Sequence, residues 1–237
     1  MSDILVDPVK QFYEEGQLLL IDKPKGWTSF DVVNKLRYAT KVKKIGHAGT
    51  LDPLATGLLI ICTGKMTKQI DTFQAQTKTY EGEMVFGHTT PSYDAETEFD
   101  KDFEISHLTK ELIVEKLKDF TGIINQFPPM YSAIKVDGKR LYDIARKGKT
   151  IELVSREVRI DLFELLSFEI PRFKFKVICS KGTYIRSLVH DLAKSLQSGA
   201  YLTELRRIGI GNYNVKDALS VEQFLQKNKE LREKLIV

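Results

Sequence analysis

Two side chains able to do chemistry, His47 and Asp52, lie close together in the stretch KIGHAGTLDPLATGLLIICTG, which runs from Lys44 to Gly64. A carboxylate is a compact anion that can act as nucleophile or base once it is positioned and desolvated, and an imidazole can donate, accept or carry charge near neutral pH. Gly46, Gly49 and Gly57 allow positive φ or the close approach of another backbone, Asp52-Pro53 favours a turn, and Leu58 to Cys62 has the apolar run of a buried strand. The loop therefore presents its two polar residues from a rigid edge, the usual mounting for a site residue. Taken alone, Asp52 reads as a turn or cap residue and His47 as a structural histidine.

Other chemistries lack their motifs. No GxxxxGK[ST] phosphate loop is present, Gly209 and Gly211 do not complete GxGxxG, and the four histidines show no HExxH spacing. With 237 residues, 42% hydrophobic and 10% aromatic, the chain can bury a sizeable core. Lys and Arg total 36 against 32 acids, and the resulting +4 does not by itself announce a nucleic-acid binder. The N-terminal MSDILVDPVKQFYEEGQ carries acids where a signal peptide would be basic, and no later apolar run reaches membrane-spanning length, so a cytoplasmic location is expected. Cys62 and Cys179 stand far apart in apolar runs, outside any CxxC pattern, and are expected as buried reduced thiols.

The elements that must position the loop follow from patterning. Gln17 to Ile21 reads as a strand and leads through Asp22-Lys23-Pro24-Lys25-Gly26-Trp27 into a helix, where Thr28 and Asp31 have capping-box spacing and Val32, Leu36 and Ala39 recur at helical intervals. After the loop and its strand, Lys65 to Phe73 predicts a short helix, and Thr79 to Gly87 a strand with Tyr80, Gly82, Met84 and Phe86 on one side. The polar stretch from His88 to His107 reads as loop, and Leu112 to Phe120, after Thr109, as a helix closed near Gly122. Val158 to Phe168 and Phe173 to Ser180 supply strands. Lys181-Gly182-Thr183 turns into a helix that carries Arg186 on its first turn beside Tyr184 and stops at Gly199. Leu202 to Ile210 is a last strand, and Ser220 with Gln223 caps a charged C-terminal helix at about 220–235. This alternation, without repeat or linker, indicates an α+β protein around a mixed, mostly antiparallel sheet flanked by helices, expected as one domain over 1–237.

Residues 126–149, QFPPMYSAIKVDGKRLYDIARKGK, interleave aromatic and basic side chains: Tyr131 and Tyr142 with Lys135, Lys139, Arg140, Arg146, Lys147 and Lys149. By composition this is a loop plus a solvated helix; as a functional element it is an RNA-clasping insertion, with cations for phosphates and a tyrosine face for stacking.

GHAGTLDPLATGLL resembles the signature loop of the bacterial TruB-type tRNA pseudouridine synthases. The likeness continues, in the family's order, through LLLIDKPKGWTS, KTYEG, PPMYSAIKVDGKRLYDIARKG, CSKGTYIRSL and ELRRIGIG, which together span most of the chain. The resemblance implies the pseudouridine-synthase fold and isomerisation of uridine at position 55 of the tRNA T-loop: the glycosidic bond to N1 breaks, the held uracil turns, and C5 bonds to the sugar. It implies no metal or organic cofactor. Asp52 matches the catalytic aspartate, with attack on the sugar, attack on the base and abstraction of a sugar proton all left open. Arg186 matches the arginine that pairs with this aspartate and keeps it ionised; Tyr80 matches the tyrosine that stacks on the target base and is proposed to assist proton transfer at C5. Leu205 matches the apolar lining of the uracil pocket, and His47 the loop histidine that reads the T-loop around the extruded base. Gly46, Gly49, Lys23, Tyr184, Tyr131, Lys135, Lys139, Arg140 and Arg146 are the further expected substrate-binding residues.

Many relatives continue into a small C-terminal RNA-binding domain of the PUA type, whereas this sequence ends at Val237 after one charged helix, so a catalytic domain without that clamp is expected. The expected partner is the T-arm of tRNA, with the protein a monomer that needs no protein partner and meets no membrane. The alternatives are a non-catalytic tRNA-binding or tRNA-folding module on the same scaffold, and a glycosidase-like hydrolase that would release free uracil.

Overall fold

A strand buried on both faces reads as an unbroken apolar run, and TGLLIICT, Thr56–Thr63, is such a strand, with everything from Gly57 to Thr63 buried. The computed structural model describes residues 7–132, 134–136, 138–149 and 151–236, the side chains of residues 135, 136, 139, 140 and 236 excepted. It is an α+β fold with a mixed sheet, and the chain divides into two compact units, residues 1–78 with 206–237 and residues 79–205.

In the first unit, Thr56–Thr63 pairs antiparallel with Leu18–Lys23 on one side and with Ile45–His47, and parallel with the strand Ala200–Ile210 at Arg206 and Arg207. Leu19, Ile21, Leu59 and Ile61 turn one face of these strands toward the helices Pro8–Gly16, Ser29–Thr40 and Val221–Ile236, meeting Val9, Val32, Leu36 and Phe224. Leu18, Leu20, Leu58, Ile60 and Cys62 turn the opposite face toward Met66, Ile70 and Phe73, from a 3-10 turn, Gly64–Gln69, that runs into the helix Ile70–Ala75. The period of two thus gives both faces a core.

The caps are local and specific. Thr28 and Asp31 form a reciprocal capping box, Ser220 and Gln223 form another, and Asp7 Oδ1 accepts from the Val9 and Lys10 amides at 3.1 and 3.2 Å ahead of Pro8. Asp7-Pro8 is a helix-start signal of the same kind, local to the sequence.

In the second unit, Arg156–Glu169 pairs antiparallel with Arg172–Cys179 and with Gly122–Gln126. Phe163, Phe173 and Phe175 contribute the aromatic part of its core. The strand Lys78–Phe86 buries Tyr80, Met84 and Phe86 on one side, and Thr109 caps the helix Lys110–Leu117. The helix Ile185–Ser195 ends at Leu196, and its left-handed residue is Gln197 (φ 54°), not Gly199. Gly199 answers a different need: a Cβ there would lie 2.4 Å from the Phe103 ring. Cys62 and Cys179 are buried, and burial pushes the Cys62 thiol up to about 11.

Candidate functional site

The Asp52 loop is tied down on both flanks. On one side Ser29, the first residue of its helix, both donates to the Leu51 carbonyl (3.1 Å) and accepts from the Leu51 amide (2.9 Å) through a single buried hydroxyl. On the other, the Pro53 carbonyl accepts from the Gly26 amide at 2.8 Å and from the Lys23 ammonium at 3.4 Å, and the Asp52 carbonyl closes a turn onto Ala55 at 3.1 Å. Asp52 itself is half-buried between these fixed peptides. A side chain held this way loses little freedom on meeting a substrate, which is the condition for precise placement.

Lys23, one of the expected substrate-binding residues, is fully buried. It has no accessible surface, and its ammonium donates to the carbonyls of Trp27 (2.6 Å) and Pro24 (2.9 Å) as well as Pro53. A cation in that position joins two loops. Burial pushes its pKa down to about 8, while the nearby Asp52 carboxylate acts in the opposite direction. Arg207 is a second buried cation under the same loop, donating from Nε to the Leu58 carbonyl at 2.7 Å and from Nη2 to the Gly49 carbonyl at 3.0 Å. Gly57 (φ 103°) lies where that strand passes: a Cβ would fall 2.3 Å from the Arg207 carbonyl oxygen. Arg206 makes a two-pronged pair with Asp22 at 3.0 and 2.6 Å. Lys23 and Arg207 place positive charge beneath the loop.

His47 ends its strand opposite Ile61, with Gly46 opposite Cys62. Its Nδ1 is buried without a hydrogen-bond partner, and burial, then the Arg207 charge, push its pKa below the usual imidazole value, a backbone contact with Gly49 opposing them. It is a neutral ring at neutral pH.

The second unit carries the remaining expected residues. Arg186, on the first turn of its helix, is 4% exposed, which excludes a solvated helix-end arginine. Nη1 donates to the Ser92 carbonyl at 3.0 Å, Nη2 to the Tyr131 carbonyl at 2.8 Å, and Nε lies 3.5 Å from Asp94 Oδ2. Asp94 is itself buried and oriented, accepting on Oδ1 from the Ser92 hydroxyl (2.6 Å) and the Glu96 amide (3.0 Å). Ser29, Arg206 and Arg207 in the first unit and Asp94 in the second support the candidate residues and were not expected from the sequence; the two arginines lie inside the quoted ELRRIGIG block.

Tyr80 is 8% exposed on its strand, and Leu205 is half-buried in Ala200–Ile210. Tyr184 precedes the Arg186 helix, exchanging hydrogen bonds with the buried Gln126 side chain (2.8 and 3.0 Å) while the Arg156 guanidinium lies over its ring at 4.5 Å. Tyr131 meets Tyr142 edge to face, with centroids 5.8 Å apart. The Tyr142 hydroxyl bonds to Glu96, and Arg146 covers its ring at 4.4 Å and reaches Glu96 at 3.5 Å. Within the insertion, Lys135–Val136 and Lys139–Arg140 form a two-stranded ribbon before the helix Leu141–Ala145, and the side chains of Lys135, Lys139 and Arg140 lie outside the described residues.

Residues 37–185 match the model of the TruB family pseudouridylate synthase N-terminal domain, and residues 186–236 that of the tRNA pseudouridylate synthase B C-terminal domain. The chain is 54% identical to the tRNA pseudouridine synthase B of Flavobacterium johnsoniae, covering 90% of this chain and 96% of the relative. It is 52% identical to that of Phocaeicola vulgatus, covering 90% and 93%. Among solved structures it resembles a chain of a Cbf5-Nop10-Gar1 complex with a TM-score of 0.74 and 27% identity, over 96% of this chain and 58% of that one. On these matches the chain belongs to the TruB family of pseudouridylate synthases.

Proposed function

We propose that this chain isomerises uridine to pseudouridine in tRNA, with uridine 55 of the T-loop as the target. The family match supports the reaction. The observation that carries it to a residue is the Asp52 loop, whose flanking peptides are fixed by Ser29, Gly26 and Lys23 above two buried cations. In this reading Asp52 is the carboxylate at the reacting sugar or base, and Arg186 keeps it ionised as the N1 bond breaks. Tyr80 stacks on the uracil, Leu205 bounds its pocket, and His47 reads the T-loop as a neutral ring. Gly46 and Gly49 let the loop backbone approach RNA, while Tyr131, Tyr184, Lys135, Lys139, Arg140 and Arg146 serve the RNA around it. Extruding the base costs about a few kcal/mol of stacking, which backbone contacts offset.

The enzyme acts as a monomer without a protein partner, in the cytoplasm; among the described residues no helix is long and apolar enough to cross a membrane. The test is purified protein alone with a T-arm stem-loop, followed by mapping of pseudouridine and assay of free uracil. Pseudouridine at the target position with no uracil release is expected. RNA refolding without isomerisation would replace this reading with the binding module, and released uracil with the hydrolase.

A further inference from the structure

Tyr93 is one of three non-glycine residues with positive φ among the described residues, at φ 63°. A tyrosine has no local reason to adopt that conformation, and it persists only where the surroundings hold it. The Tyr93 ring lies on the His190 ring with centroids 3.9 Å apart and planes 16° from parallel. His190 makes no hydrogen bond through its buried Nδ1, so the imidazole is retained there by packing.

The Ser92 carbonyl accepts from Arg186 Nη1, and Asp94 faces Arg186 Nε. His190 is one turn beyond Arg186 on the same helix. The stack therefore clamps the turn that bears the arginine's partners onto the helix that bears the arginine. The turn's other ties, Tyr93 amide to Thr90 carbonyl (3.1 Å), Leu202 amide to Tyr93 carbonyl (3.0 Å) and Thr90 hydroxyl to Asp94 carbonyl (2.7 Å), run within the turn and to the strand Ala200–Ile210.

We propose that Tyr93 and His190 are positioning residues for the isomerisation, setting by their ring stack where Ser92 and Asp94 hold the Arg186 guanidinium. This rests on the reading that Arg186 serves the reaction. The test measures kcat and KM on the T-arm stem-loop for Tyr93→Ala, Tyr93→Gly, Tyr93→Phe, His190→Ala and His190→Phe, with Arg186→Lys as reference and folding of each checked by circular dichroism. Tyr93→Ala and His190→Ala are expected to lower kcat by about tenfold with KM unchanged, and the double variant by no more than either alone. Tyr93→Phe and His190→Phe, which keep a stacked ring, are expected to stay within about twofold of wild type. Tyr93→Gly relieves the backbone and removes the ring, so it should behave like Tyr93→Ala; recovery of kcat in Tyr93→Gly would show that strain alone matters and overturn the proposal. Wild-type kcat in Tyr93→Ala alongside a crippled Arg186→Lys would also overturn it. Full activity in Arg186→Lys would instead overturn the role given to Arg186.

Discussion

Replacing Ser29 with alanine removes one hydroxyl that makes two hydrogen bonds to the same residue, Leu51, immediately before Asp52. Leu51 is 4% exposed and Ser29 2%, so water cannot replace the lost partner. A buried amide or carbonyl left without a partner costs about 1–3 kcal/mol, and here one of each is orphaned. Partial relaxation of the loop puts the sum at about 2–4 kcal/mol, which for a chain of this size corresponds to a fall in Tm of roughly 5–15 °C. Activity should suffer beyond the loss of folded protein, because the loop relaxes by moving the peptide that carries the carboxylate. The assay pairs thermal melting with single-turnover pseudouridine formation at a temperature where Ser29→Ala remains folded, with Ser29→Thr as the variant that keeps the hydroxyl. A single-turnover rate lowered at least tenfold in Ser29→Ala, and largely kept in Ser29→Thr, is expected. A Tm within 1 °C of wild type together with an unchanged rate would refute the inference that this hydroxyl fixes the loop.

Gly57→Ala should be among the most damaging single changes in the chain: it puts a Cβ 2.3 Å from the Arg207 carbonyl oxygen at φ 103°, and conformational strain plus overpacking amount to about 2–5 kcal/mol. Soluble yield and Tm check this, and a melting curve like wild type would contradict it. Acidification should destabilise the fold through His47 and His190, whose pKa values burial pushes below 6.5. Their neutral forms cost nothing above pH 6.5, and stability is lost as pH falls below that value because the unfolded imidazoles bind protons first. Asp7, held at about 2 chiefly by its bond to Arg232, keeps its stabilising contribution above its unfolded value of 3.8 and contributes nothing to this window. Denaturant titrations between pH 7.5 and about 5 should show the loss, and the pair His47→Gln and His190→Gln should flatten it; an unchanged slope in that pair would count against the assignment.

What could be read from the sequence was local. The capping box of Thr28 and Asp31, the box of Ser220 and Gln223 and the two-faced run Leu58 to Cys62 act within a few residues, and each appears where its spacing put it. Ser29 stood inside the same box unnoticed, because its partner Leu51 belongs to another element. Asp94 lay in a polar stretch that composition made a loop, and its meaning comes only from the helix that brings Arg186 against it. Lys23 is expected from the sequence among the substrate-binding residues, and its burial against backbone carbonyls of two loops is not visible in that stretch. Tyr142 offered a stacking face on paper, and in the fold Arg146 covers its ring while Glu96 holds its hydroxyl. Periodicity and turn chemistry report neighbours along the chain; they carry no information on partners that folding delivers from elsewhere.

The central claim is that the chemistry resides in the Asp52 carboxylate. Asp52→Asn keeps the size and shape of the side chain and removes its charge and basicity, so the loop ties through Leu51 and Pro53 are unaffected. The decisive measurement is pseudouridine formation by purified Asp52→Asn on a T-arm stem-loop, with RNA binding measured on the same preparation. Binding close to that of wild type with no detectable product is expected; turnover at the wild-type rate would contradict the role of Asp52.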